Sequence, residues 1–172
     1  ENGYNTSFRP LQYEENTSPS FTKSLTLSSV PIVTFGSGQN AVQYYEFRLD
    51  INQTNSDPLL SLDALRIFTS NIGDGLAQGT IGGTWFTANA TQVYNMDGAG
   101  DSSVLLDYSL QAGSGRSDMF FYVPVSNFGS AIPAETYVTL YSEFGSAGVL
   151  DAGDTLVARD DLANAFLDYN GS

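Results

Sequence analysis

The residues able to do chemistry in this chain are carboxylates, phenols and hydroxyls, because histidine and cysteine are both absent. Without imidazole or thiolate, a Ser-His-Asp or Cys-His arrangement cannot be built. Zinc, copper and iron–sulfur sites also lose their usual ligands. What remains for catalysis is a pair of carboxylates facing each other across a cleft, one kept protonated by an apolar pocket. Glu46, Asp50, Asp107, Asp118 and Glu143 are of the right type, but nothing in their spacing requires any two of them to converge. No catalytic residue is assigned, and the chain is not read as an enzyme.

Cation binding by oxygen is the other chemistry on offer. The stretch Asn95–Asp101, "NMDGAGD", sets Asn95, Asp97 and Asp101 among two glycines. An EF-hand loop wants oxygen donors at alternating positions, glycine at the sixth and a bidentate Glu at the twelfth. Counted from Asn95, Gly100 falls correctly, but Ala99 takes the fifth position and Leu106 the twelfth. It is therefore no EF-hand. A calcium site of another kind, built from Asn95, Asp97 and Asp101, is one reading; a hairpin turn in which glycine supplies positive φ is the other. "DAGD" at Asp151–Asp154 offers the same choice.

The charge balance bounds the partners. Against 19 acidic residues stand 6 basic ones, Arg9, Lys23, Arg48, Arg66, Arg116 and Arg159, for a net charge of −13. Such a surface repels phosphate backbones and anionic headgroups, so neither nucleic acid nor a membrane surface is an expected partner. No apolar run approaches the roughly 20 residues that span a bilayer, so no membrane insertion is expected. The start at Glu1 rather than Met fits a mature exported chain.

The elements that must position these groups are strands. "VQYYEFRLDIN" alternates, with Tyr45, Phe47, Leu49 and Ile51 on one face and Tyr44, Glu46, Arg48 and Asp50 on a wet one. "FTKSLTLSS", "PIVTF", "TWFTANATQVYNM", "MFFYVPVSNF" and "TYVTLYSEF" are β-branched and aromatic runs between Gly, Pro, Asn and Ser turns. In "SVLLDYSLQ", Val104, Leu106, Tyr108 and Leu110 are expected to face inward. "LLSLDALRIFTS" has helical propensity, yet Leu65, Ile67 and Thr69 alternate, so its second half reads as a strand. Only "RDDLANAFLDYN", with Leu162, Ala165, Phe166 and Tyr169 spaced three and four apart, looks helical. Many short strands without intervening helices predict an all-β fold, an antiparallel jelly-roll-like β-sandwich.

Residues 21–172 are expected to form that single domain, preceded by an extended N-terminal arm over residues 1–20. Tyr4, Phe8, Leu11 and Tyr13 are apolar anchors there. They fit an arm that packs on its own domain or adds a strand to a neighbouring subunit. Asn5, Asn16, Asn52, Asn89 and Asn170 each begin an N-x-S/T triplet. Tyr44, Trp85 and Tyr122 could form a stacking platform for sugar, or a subunit interface.

Three ordered segments, 44–70, 93–129 and 137–145, resemble secreted bacterial proteins that carry a PEP-CTERM sorting tail. The resemblance rests on "EFRLDIN", "SLDALRIF", "YNMDGAGD", "LDYSL" and "YVTLYSEFG". No Pro-Glu-Pro signal follows "YSEFG" in this chain. What the resemblance implies is an exported protein, extracellular or on the cell surface of a bacterium, without an assigned enzymatic role. The expected function is a non-catalytic structural subunit of a surface fibre, sheath or biofilm matrix. It would assemble with itself through strand edges and the arm. The alternative is a calcium-supported carbohydrate-binding module with a polysaccharide partner.

Overall fold

The alternating runs fold into strands in a computed structural model. It describes residues 2–11, 13, 16–50, 58–72, 89–111, 119–130, 132–146 and 155–156. The strands are β1 (Asn2–Tyr4), β2 (Leu25–Thr26), β3 (Ile32–Phe35), β4 (Val42–Leu49), β5 (Leu59–Ser70), β6 (Thr91–Asn95), β7 (Ser102–Asp107), β8 (Met119–Pro124), β9 (Tyr137–Ser146) and β10 (Thr155–Leu156). They form a seven-stranded sheet, in which β1-β9-β5-β7-β10 are neighbours and β2 and β6 join β9 and β5, and a three-stranded sheet β3-β4-β8. Every pairing is antiparallel except that of β10 with β7. The result is the expected all-β antiparallel sandwich.

Alternation decides which residues fill the space between the sheets. From the small sheet come Tyr45 and Phe47 of β4 with Met119, Phe121 and Val123 of β8; from the large one come Leu62, Leu65, Ile67, Val104, Leu106 and Val138. Phe47 and Phe121 stack across β4 and β8, with ring centroids 5.0 Å apart and planes 9° from parallel. Ile67 and Val123 are fully shielded from solvent.

β5 runs as a strand over its whole length, including the half that has helical propensity. The reason is tertiary: β5 is central, paired with β7 and β6 on one side and β9 on the other. A register shift between Leu62 and Ala64 breaks strict alternation. Both faces are consequently buried, Leu62, Leu65 and Ile67 in the main core and Ala64 and Phe68 on the opposite side.

The N-terminal segment covers that opposite side. β1 pairs with β9, from Asn2 opposite Glu143 to Tyr4 opposite Tyr141. Tyr4 joins Ala64, Phe68 and Tyr141 in a second buried cluster, with Phe8 and Tyr13 packed against it. The described part of the arm packs on its own domain. The ladder then continues through a side chain. Asn5 Nδ2 donates to the Val138 carbonyl at 2.8 Å, and the Leu140 N–H donates to Asn5 Oδ1 at 2.6 Å. β2 takes over at Val138 and Tyr137, so the asparagine amide bridges the gap between two short strands. Ser7 and Ser24 lock the loop by each accepting the other's backbone N–H on its hydroxyl.

Replacing Asn5 with Asp keeps the acceptor but removes the donor and sets a carboxylate against a carbonyl. Stability should fall by about 1–3 kcal/mol, read as a lower urea midpoint with unchanged slope.

Two expectations are corrected by local chemistry. β7 ends at Asp107, and Leu110 lies in a 3₁₀ turn, 68% exposed rather than inward. Asp107 Oδ1 ends the strand by accepting from both the N–H and the hydroxyl of Ser109. Glu46, expected on the wet face of β4, is only 4% exposed. The helical pattern over 159–170, with Asp118, Trp85, Asn52 and "DAGD", lies outside the described residues.

Candidate functional site

"NMDGAGD" is a turn between β6 and β7 that its own polar groups close. The Asp97 N–H donates to Asn95 Oδ1 at 3.2 Å, and the Ser102 N–H donates to Asp97 Oδ1 at 3.3 Å. The Gly98 and Gly100 N–H groups donate to the carbonyls of Asn95 and Asp97 at 3.1 and 3.2 Å. Gly100 takes a φ of +147°, which side-chain-bearing residues rarely adopt. The other oxygen of Asp97 lies 3.8 Å from Arg66 Nη2 on β5. Burial, and then the charge of Asp97, push the Tyr94 phenol above its ordinary range.

Of the three oxygen-bearing residues expected to hold calcium, Asn95 and Asp97 are thus engaged with each other, and Asp101 is exposed. A divalent ion at Asp97 would compete with the Arg66 guanidinium for the second carboxylate oxygen. Among the described residues, no three Asp or Glu side chains gather into a group able to hold a metal. In this structure the donor set closes a turn.

Among the described residues, the candidate carboxylates Glu46, Asp50, Asp107 and Glu143 come from β4 and the residue after it, from β7 and from β9. Asp107 closes the end of β7, and Asp50 is exposed just past β4. Glu143 on β9 accepts from the Tyr141 hydroxyl at 2.8 Å, and Asn2 Nδ2 donates to that hydroxyl at 3.3 Å. Burial first, then the Glu143 hydrogen bond and charge, push the Tyr141 phenol from 10.0 up to about 12.

The phenol therefore holds its proton more tightly folded than unfolded. Its contribution is fully present below the unfolded value of 10.0 and is lost as pH rises toward about 12. The loss should approach about 1.4 kcal/mol per pH unit. Tyr141→Phe should flatten that alkaline decline in a series of urea melts.

Glu46 is the buried carboxylate that sequence reasoning placed on the wet face. Its Oε1 accepts from Arg48 Nε at 3.0 Å and Nη2 at 2.8 Å. The guanidinium carbon sits 5.2 Å from the centroid of Phe120. A lone buried carboxylate would be costly, and this partner makes it tolerable. The signal was present as Glu-x-Arg, two opposite charges two residues apart on one strand face.

The stacking platform takes a different form. Phe35 meets Tyr44 at 5.5 Å and Tyr122 at 5.0 Å, both edge to face. These rings pack against one another on the outside of the small sheet. Tyr4 and Tyr13 meet at 5.6 Å, and Tyr13 and Tyr141 at 6.1 Å, within the N-terminal cluster. Leu11, the fourth anchor of the arm, is half-buried.

What the described residues bring together is a set of strand edges and aromatic clusters. Comparison of the chain with protein-family models, with curated proteins and with solved structures finds no match.

Proposed function

We propose that the chain is a non-catalytic structural subunit of an extracellular bacterial fibre, sheath or matrix, assembling with itself through strand edges. The observation that carries this reading is the unequal treatment of two edges. β9 is sealed by the chain's own β1, Asn5 and β2, whereas among the described residues β4, the middle strand of the small sheet, has no partner on its β3 side past the Glu46–Pro31 hydrogen bond. Soluble monomers usually blunt such an edge, and an open one is a template for another chain.

The acidic surface, the lack of histidine and cysteine, and the resemblance to exported PEP-CTERM proteins support the same reading. In it, the N-terminal segment completes the subunit and the open edge joins subunits. Sedimentation velocity over a concentration series should reveal species that grow beyond the monomer. A glycan array should show no selective binding. A strictly monomeric chain that selects one sugar would instead identify a carbohydrate-binding module.

A further inference from the structure

Among the described residues, the end of β4 past Glu46 has no strand on its β3 side. β3 runs from Phe35 opposite Val42 to Ile32 opposite Tyr45, and the Glu46 N–H then donates to the Pro31 carbonyl at 2.9 Å. Pro31 has no N–H to return, and among the described residues no strand continues the register past it. Strand alternation directs the N–H and C=O of Arg48 to the same side as those of Glu46. Under that edge lies a cavity of about 580 Å3, lined by Phe47 and Arg48 of β4, Val138 and Leu140 of β9, and Phe21 and Leu25. Phe21 stands at its rim, 77% exposed, the highest among the large apolar side chains described.

The charge around this cleft runs against that of the molecule. Four of the six cations are described; Arg48 lines the cleft, and Arg9 and Lys23 adjoin its lining residue Thr22, the first by a hydrogen bond and the second in the chain. Arg48 lines the cleft with its side chain 60% exposed. Arg9 Nη2 donates at 2.8 Å to the carbonyl of Thr22, itself a lining residue. Lys23 follows Thr22 in the chain and is exposed. The single acid in the lining, Glu46, is already paired with Arg48. The cleft thus combines an apolar floor, an unextended strand edge and a cationic rim, on a chain of net charge −13.

We propose that this cleft receives an extended acidic segment of a second copy of the chain, added to β4 as a strand. Backbone pairing would come from the Arg48 edge, and alternate side chains would enter the floor. The acidic partner would meet Arg9, Lys23 and Arg48. Because the receiving cleft and the inserted segment are different surfaces, the contact is head-to-tail and propagates into a polymer. The proposal rests on the structural-subunit reading and names the surface that reading would use.

The absence of native cysteine makes the test direct. Ser29 lines the cleft and is exposed, so Ser29→Cys reports on occupancy by maleimide labelling, with the exposed Ser126→Cys as control. As concentration rises into the associating range, labelling at position 29 should slow about tenfold or more while position 126 stays reactive. Phe21→Ser and Lys23→Glu alter exposed side chains and should weaken self-association by about tenfold or more with an unchanged circular dichroism spectrum.

Undiminished association in both variants, with position 29 freely labelled, would overturn the cleft proposal and leave the subunit reading standing. Protection of position 29 already in the dilute monomer would also overturn it, since the occupant would then be the same chain. Failure of the parent chain to associate at any concentration would overturn both.

Discussion

Replacing Ile67 with alanine is expected to lower stability by about 3–5 kcal/mol. Ile67 is 0% exposed, on the central strand of the larger sheet, opposite Leu140 of β9 and Tyr94 of β6. Its side chain belongs to the core that both sheets share. Truncation removes the transfer free energy of its methyl and methylene groups and leaves a cavity that paired strands on both sides cannot easily collapse. Against a typical total of about 5–15 kcal/mol, that is enough to bring the chain near its unfolding limit. The check is a urea titration, in which the midpoint should fall without a change of slope. Leu105→Ala offers the contrast, since Leu105 is 41% exposed on β7, and its cost should stay within about 0.5 kcal/mol.

Tyr4→Ala should cost nearly as much, about 3 kcal/mol, although Tyr4 belongs to a stretch that reads as a loose arm. The ring is 4% exposed and caps Ala64, Phe68 and Tyr141 on the outer face of the large sheet. Its edge-to-face contact with Tyr13 is a separable part of that cost. A double-mutant cycle over the two tyrosines should return a coupling of about 0.5–1.5 kcal/mol. A coupling near zero would mean that the arm packs loosely and is available to a neighbour. Deleting residues 1–20 is therefore a poor probe of assembly. It strips the cover from the second cluster and the sealing strand from β9, so it would damage the subunit together with any connection between subunits.

The sandwich was legible where a strand has one wet face and one dry one. β4, β8 and β9 show their alternation openly, and the turns between them carry Gly, Pro and Asn. β5 was only half legible because the irregularity around Asp63 shifts its phase and both of its faces are covered. Leu110 was misread because a side-chain acceptor, Asp107, ends the strand before the apolar pattern does. Glu46 was misread because only the fold reveals that Arg48 folds back over it.

At the candidate sites, residue types were visible but their partners were not. "NMDGAGD" carries enough oxygen for a cation, and it took the positions of Ser102 and Arg66 to show that Asp97 is engaged. The cleft beside β4 has no sequence signature at all. It arises from where β3 stops, and from the proline that precedes it.

We propose that this chain builds a polymer from folded sandwich subunits. Electron microscopy of the concentrated chain tests that most directly. Filaments or sheets with a regular repeat are expected, formed while the β-sheet spectrum of the monomer is retained. A field of discrete single particles at every concentration would contradict it.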